Sequence, residues 1–404
     1  MQTTSFTLAG PIGTDAVAVS VRCTIDAAKP TAFRVEGATA VQTKEIAVRV
    51  RSAFLAADMP WPVGQVTIAA DAGGAKLSAS TLDLPIALAI AGVDTSGLLV
   101  AGELGLDGSV RRVRGVLAAT LLAKSLGLRG VLVPSQNATE ALVADAGVVH
   151  EVDSLRNVAN ALATKAVPTR RTPAPRAALD FSEVRGQADA IAMVENAVKT
   201  RAGLLLSGSP GVGKTMIARR IPGLLPALKR DEQIAVTRVY SALGLAEDLI
   251  VDRPFRAPHH TISAAALAGG GTSASRPGEA QLASHGILFL DEIVEFARGA
   301  IEALAFALER MPAASRPLVV VSANPCSCGY RFSTLRKCTC TDEALARYAA
   351  RLEWAIGKLA VSTCVSIKPT SAADLRGLSE GESTANIAKR IADASKETML
   401  VNMH

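Results

Sequence analysis

GLLLSGSPGVGKTMIARRI, residues 203–221, is the stretch that decides how the middle of this chain folds. It opens on an apolar run, Leu204–Ser207, passes through a glycine-rich loop and continues as a helical segment. Strand, Gly-rich loop and helix in that order form the opening bend of an α/β unit. Gly208, Gly213, Lys214 and Thr215 satisfy G-x-x-x-x-G-K-[ST], with Ser209, Pro210, Gly211 and Val212 filling the loop and Met216 starting the helix. The spacing has a physical cause. A loop that wraps a phosphate must come close to it, side chains would block that approach, and backbone N–H groups and the helix N-terminus then direct positive charge at the anion. Lys214 is placed to reach the β- and γ-phosphates of a nucleoside triphosphate, and the Thr215 hydroxyl to ligate Mg²⁺.

Two further segments complete such a site. GILFLDEI, residues 286–293, is an apolar strand ending in an acidic pair. Asp291 can hold Mg²⁺ opposite Thr215, and Glu292 can orient or deprotonate an attacking water. PLVVVSANP, residues 317–325, is a third strand with Asn324 at its end, where it can hydrogen-bond the γ-phosphate or the water.

The 404 residues exceed one ordinary core, so two or three domains are expected. A composition 49% hydrophobic and 20% charged fits a globular protein, and aromatics at 3% speak against binding nucleic acid by base stacking on an aromatic platform. A net charge of +6 permits contact with a polyanion without requiring it. The start, MQTTSFTLAGPIGTD, has neither the basic nor the long apolar region of a signal peptide. Leu84–Val93 and Leu359–Ile367 are too short to span a bilayer and read as buried segments, so no membrane association is expected. The cytoplasm is the expected compartment.

Residues 1–163 alternate strand-like runs (Val17–Val21, Val66–Ala70, Gly130–Val133) with helical stretches (Thr43–Ala57, Val113–Leu126). Residues 164–178, rich in proline and arginine without apolar periodicity, read as an exposed linker. Residues 179–368 carry the nucleotide motifs, and 369–404 a final helical segment.

The set FSEVRGQ, SGSPGVGKT, RPFRAPHHTIS, LAGGG, RPGEAQLASHGILFLDEI, NPCSCGY and CTCT, spread over residues 181–340, resembles the AAA+ module of the magnesium-chelatase-like ATPases, in particular the YifB/ComM family. TLDLPIALAIAG, AGELGLDGSVRRVRGVLAA and LVPSQNATEA resemble that family's amino-terminal Lon-protease-like (ribosomal S5 domain 2-like) α+β domain. The resemblance implies that domain followed by a P-loop AAA+ α/β domain with a partial helical lid. It implies that Val184 flanks the adenine of ATP, that Asn324 is the first sensor residue, and that APHHTISAAALAGGG faces the central pore of a homo-oligomeric ring. ComM-like proteins are hexameric motors that translocate on DNA and promote branch migration during DNA uptake. Magnesium chelatase uses the related module to drive metal insertion into a porphyrin.

Lon-type domains can be Ser/Lys peptidases. Here STLDLPIAL has no serine at the expected place, and Leu117 stands where the lysine falls, so no acyl-transfer centre is expected. Ser78 or Ser80 with Lys76 or Lys124 is the remaining combination. Cys326, Cys328, Cys338 and Cys340 can close a tetrahedral Zn²⁺ site or remain four reduced thiols, with Arg331, Arg336 and Lys337 lowering their pKa values. His259 and His260, as sequence neighbours, are expected to point apart and to serve the loop rather than a metal.

The chain also departs from the family pattern. FALERMPAASRPLVVV leaves no room for the β-hairpin that relatives carry there. RLEWAIGKLAVSTCV lacks the Asp-Arg pair whose arginine acts across the subunit boundary, and Arg347 and Arg351 lie upstream. GESTANIAKRIADASKETML resembles the start of the helical lid, with Ile387, Ile391 and Ala394 on one stripe. Losing an arginine finger costs about 10³–10⁵ in rate. ATP is therefore expected to bind with Mg²⁺ and to turn over slowly or with a partner. Three readings follow: a DNA-acting motor, a hydrolysis-impaired regulatory or assembly subunit that joins an intact homologue, and a chelatase-type subunit.

Overall fold

The computed structural model describes residues 2–71, 79–163, 173–174, 179–270, 276–332, 336–369 and 380–401. Most of the 164–178 linker, and Ser78 and Lys76, lie outside the described residues. Two compact units divide the chain: the first takes the residues up to Pro173 together with Thr237–Ile250, and the second takes nearly all the others.

The first unit is built on a mixed seven-stranded sheet. Its strands are β1 (Gln2–Ile12), β2 (Asp15–Asp26), β3 (Ala32–Val35), β4 (Gln65–Asp71), β5 (Leu98–Val100), β8 (Gly130–Pro134) and β9 (Val148–Val152), in the order β3-β4-β2-β1-β5-β8-β9. A separate two-stranded ladder pairs β6 (Glu103–Leu104) with β7 (Val110–Arg111). On β2 the buried residues Val19, Val21 and Cys23 alternate with exposed ones, the period-2 pattern of a half-buried strand. Helix Ala40–Ala56 is started by a capping box, Thr39 with Gln42, and buries Ile46, Val50, Ala53 and Phe54 on one stripe. The apolar segment from Leu84 becomes the buried helix Ala79–Ile90.

The second unit holds a five-stranded, all-parallel sheet of β10 (Gly203–Ser207), β11 (Phe255–Arg256), β12 (Ile287–Leu290), β13 (Leu318–Ala323) and β14 (Val361–Ser366), ordered β11-β12-β13-β10-β14. Successive residues leave opposite faces into two cores. Leu204, Leu206, Ile287, Phe289, Leu318 and Val320 enter one; Leu205, Leu288, Leu290, Val319 and Val321 enter the other. Burial on both faces is why these strands read as unbroken apolar runs. The exception corrects an expectation. Of the Leu359–Ile367 segment, β14 is an edge strand that exposes Ser362, Cys364 and Ser366 on one face and fully buries Val365 on the other, the period-2 pattern of a strand covered on one face only. The chain is thus a mixed α/β protein. Among the described residues no helix is long and apolar enough to cross a membrane.

One buried charge pair ties helix Ala40–Ala56 to helix Ala79–Ile90. Arg49 Nε donates to Asp83 Oδ2 at 2.7 Å, and its Nη2 donates to Glu103 Oε1 at 3.0 Å and to the Leu104 carbonyl at 3.1 Å. Asp83 is fully buried, and desolvation pushes its pKa up to about 6 against the pull of Arg49. A folded-state value above the unfolded one of about 3.9 means that the stability contributed by the protonated form is present at low pH and is lost as pH rises through about 6. Removing Arg49 strands the carboxylate. Arg49→Ala is expected to cost about 3–5 kcal/mol near neutral pH and clearly less near pH 5, where Asp83 takes up a proton. Urea unfolding followed by Trp61 fluorescence, in a Trp354→Phe background, measures this; equal costs at the two pH values would contradict it.

Candidate functional site

Three adjacent parallel strands deliver the site. The loop 208–213 leaves the carboxyl end of β10, Asp291 and Glu292 leave β12, and Asn324 leaves β13, which lies between them. Ligand sites of open parallel sheets lie outside the carboxyl ends of the strands. Registers Ser207↔Ala323 and Leu290↔Val321 bring the three ends level.

The loop bends as the glycine spacing requires. Gly211 (φ +80°) and Gly213 (φ +99°) sit in the left-handed region, and helix Lys214–Ala218 starts directly after them. A Cβ built on Gly211 meets nothing within 4 Å, so the loop faces open space there. Lys214 is buried, and its Nζ donates to the carbonyls of Gly208 (2.7 Å) and Ser209 (3.1 Å) and to Asn324 Oδ1 (2.9 Å). Desolvation holds the Lys214 pKa below the ordinary lysine range, against the opposing charges of Asp291 and Glu292. Thr215 Oγ1 donates to Asp291 Oδ2 at 3.2 Å. The structure therefore brings together the glycine loop, Lys214, Thr215, Asp291 and Asn324. Glu292 stands next to them in the left-handed region (φ 55°, ψ 57°), rare for a residue with a side chain.

Two residues of this cluster escaped the sequence reading. Ser322 donates through Oγ to Asp291 Oδ1 and accepts from the Glu292 N–H at 2.9 Å, so one hydroxyl fixes both acidic residues. Its signal was a lone hydroxyl in an otherwise apolar strand. Tyr348 donates its hydroxyl to the Asn324 carbonyl at 2.8 Å, and burial pushes its pKa up to about 12. Nothing local in the sequence marks it.

Val184 is buried, and its N–H donates to the Phe181 carbonyl at 2.8 Å. Beside it opens a cavity of about 360 Å³ lined by Val184, Gly186, Gln187, Ile191, Glu195 and Arg390. Ile387 and Ile391 are buried in the same core as Val184, as the stripe on the last helix, Thr384–Val401, predicts.

The four cysteines also converge. Their sulfurs all lie within 4.8 Å of one another, with Cys326–Cys328 at 3.4 Å, Cys328–Cys338 at 3.5 Å and Cys326–Cys338 at 3.8 Å. These separations exceed the roughly 2.05 Å of a disulfide. The expected lowering of the thiol pKa values by Arg331, Arg336 and Lys337 needs correcting. Backbone N–H groups of Thr339 and Tyr330 hold Cys328 down to about 5, whereas, against the backbone N–H of Cys340, desolvation and the neighbouring thiols push Cys338 up to about 12; Arg331 and Arg336 stack on Phe332 and Tyr330. A second correction concerns His259 and His260, whose rings lie 4.0 Å apart at 34°. Neighbouring side chains diverge on an extended strand, but these two sit where the chain turns.

In the first unit, Ser80 and Thr81 line a cavity of about 630 Å³ with Gly102, Glu103, Gly115 and Ala119. Lys124 is not part of that lining and donates to the Ala144 carbonyl at 3.1 Å; Leu117 is fully buried.

Residues 180–365 match the family model described as magnesium chelatase, subunit ChlI, and residues 21–137 match that described as subunit ChlI of Mg-chelatase. An uncharacterized protein of Mycobacterium tuberculosis is 36% identical over 370 residues, 85% of this chain and 73% of its own length. The uncharacterized protein YifB of Escherichia coli is 31% identical over 409 residues, 95% of this chain and 79% of its own. Competence protein ComM of Haemophilus influenzae is 34% identical over 331 residues, 78% of this chain and 64% of its own.

The two left-handed glycines give a test that needs no ligand. Gly211→Ala incurs the backbone penalty, about 1–2 kcal/mol. Gly213→Ala adds contact with the Met216 methyl at 3.3 Å and is expected to destabilise more. Thermal unfolding of the second unit, reported by Trp354 fluorescence in a Trp61→Phe background, should rank wild type, Gly211→Ala and Gly213→Ala in falling order.

Proposed function

Because the chain belongs to the YifB/ComM family of magnesium-chelatase-like AAA+ proteins, we propose that it binds ATP at residues 208–216 and hydrolyses it to drive a ring-shaped motor acting on DNA. The observation that carries this reading is the 3.2 Å contact between Thr215 and Asp291 beside the 2.9 Å contact between Lys214 and Asn324. An oxygen on helix Lys214–Ala218 and an oxygen at the end of β12 face each other where a hard divalent cation is needed, next to a buried ammonium.

Mg²⁺, when bound, supplies Lewis-acid charge to the phosphate oxygens. The hydroxyl of Thr215 and the carboxylate of Asp291 fit it chemically: both are oxygen ligands, and Asp291 is already oriented by Ser322. The loop N–H groups and Lys214 hold the triphosphate, with Lys214 turning from the Gly208 and Ser209 carbonyls toward the β- and γ-phosphates. Val184 packs beside the adenine. Glu292 takes the proton of the attacking water, and Asn324 orients that water against the γ-phosphate. Cytoplasmic localisation and a homo-oligomeric ring belong to the same proposal.

A hydrolysis-impaired regulatory or assembly subunit is the second reading. One contact favours it: Arg351, close to where the family's inter-subunit arginine is missing, donates to the Phe296 carbonyl of its own chain at 3.1 Å.

ATP turnover by the purified protein, with and without forked DNA, separates the two. The motor predicts turnover that rises with DNA. Glu292→Gln is expected to keep nucleotide binding and to lower turnover about 10²–10⁴-fold, and Lys214→Ala to lose binding itself. Nucleotide binding without turnover under every condition selects the regulatory reading, and no Mg·ATP affinity in wild type ends both. Ser322→Ala should raise the Mg²⁺ concentration for half-maximal turnover about tenfold, since the hydrogen bond to the Asp291 carboxylate is lost, and lower maximal turnover, since the Glu292 N–H loses its acceptor, while leaving Mg-free ADP binding unchanged. Titration of Mg²⁺ in the turnover assay checks it.

A further inference from the structure

The cysteine cluster is joined to the nucleotide loop by packing as well as by sequence. Cys326 lies two residues after Asn324, and Asn324 is held from both sides: its side-chain oxygen by Lys214, its carbonyl by Tyr348. Within the knuckle, Gly329 donates its N–H to the Cys326 carbonyl at 2.9 Å and adopts φ +85°. That turn sets Gly329 against the Pro210 ring so closely that a Cβ would fall 2.8 Å from Pro210 Cδ. Pro210 is in the glycine loop itself.

The sulfur geometry points to a metal. A tetrahedral tetrathiolate zinc with bonds of about 2.3 Å has S···S edges of about 3.8 Å. The three separations of 3.4, 3.5 and 3.8 Å, and the 4.8 Å bound on all four sulfurs, bracket that edge. Among the described residues no carboxylate or imidazole belongs to the group, and an all-thiolate set selects a borderline-soft ion such as Zn²⁺ over Mg²⁺ or Ca²⁺. The Arg331 N–H also points at Cys326 Sγ at 3.3 Å, an outer-shell donor that would orient a thiolate ligand.

We propose that Cys326, Cys328, Cys338 and Cys340 bind one zinc ion per chain, and that the loaded knuckle is a strut which, through Gly329 on Pro210 and through Asn324, holds the 208–215 loop in its nucleotide-binding shape. The metal site stands on the cysteine geometry; its coupling to nucleotide binding rests on the ATP reading above.

The test uses the full-length protein under reducing conditions. Metal analysis should give one zinc per chain, and exchange with Co²⁺ should produce the intense visible d–d bands and thiolate charge-transfer absorption of a tetrahedral tetrathiolate. Cys338→Ser and Cys340→Ser should each shift those bands and lower zinc affinity at least tenfold. A wild-type protein that binds neither Zn²⁺ nor Co²⁺ overturns the metal site. Coupling is read without nucleotide, by hydrogen–deuterium exchange over residues 208–215. Exchange should speed up at least tenfold when a strong chelator strips the zinc, and return when zinc is restored. Gly329→Ala should give the faster exchange while keeping one zinc per chain. Unchanged exchange after stripping, or in Gly329→Ala, overturns the strut. A fluorescent ADP analogue completes the set. Lost affinity on stripping supports the proposal, and affinity unchanged on stripping overturns it. Absence of binding to the zinc-loaded protein contradicts the ATP reading, while the exchange data still decide the strut.

Discussion

A lysine ammonium taken out of water must find acceptors, and the second unit is arranged around that demand. Lys214 has three N–H groups, and three oxygens receive them: two carbonyls of its own loop and the side-chain amide of Asn324. The loop follows β10 and the amide follows β13, so the cation is satisfied because those strands are neighbours in parallel register. Were β12 next to β10 instead, the acidic pair would face the ammonium directly and neutralise it. The inserted strand keeps Asp291 and Glu292 near enough to oppose the desolvation of Lys214, while the hydrogen bonds go to neutral groups. The charge stays available for an incoming anion.

What could be read from sequence here was whatever a short stretch of chain enforces on itself. The loop from Gly208 to Thr215, the helix after it, and the apolar strands before Asp291 and Asn324 are local, since glycine spacing and double-sided burial write themselves into neighbouring letters. The convergence of four cysteines was visible as possibility because their spacing is short. Contacts made across the fold left no such trace. Ser322 looked like one more strand residue, Tyr348 sits in a helix whose pattern predicts packing, and the approach of Gly329 to Pro210 joins positions over a hundred residues apart. The misreadings have a common origin. Cations near thiols and histidines side by side were judged by sequence distance, while backbone turns decide which groups meet.

The first unit shows how a buried charge can be kept without a catalytic purpose being visible. Asp83 sits where solvent cannot reach it, just before the apolar run Leu84–Ile90 of its helix, and Arg49 spans from it to Glu103 and the Leu104 carbonyl. Glu140 is buried too, and is met by the hydroxyl of Ser241, the amide of Asn137 at 2.9 Å and the Leu117 N–H at 3.1 Å. Burial still raises its pKa, because desolvation outweighs those donors. A wrong partner for either carboxyl would leave a buried charge unmatched, which costs about 3–5 kcal/mol.

Among the described residues, Glu292 shares its left-handed backbone with few others that carry side chains. A peptide held in that basin stays there only because its surroundings insist, here through the Ser322 hydroxyl on its N–H. The carboxylate is therefore aimed by the main chain, like a latch under spring tension. The aim of that carboxylate thus depends on one side chain of the neighbouring strand β13 rather than on the sheet as a whole.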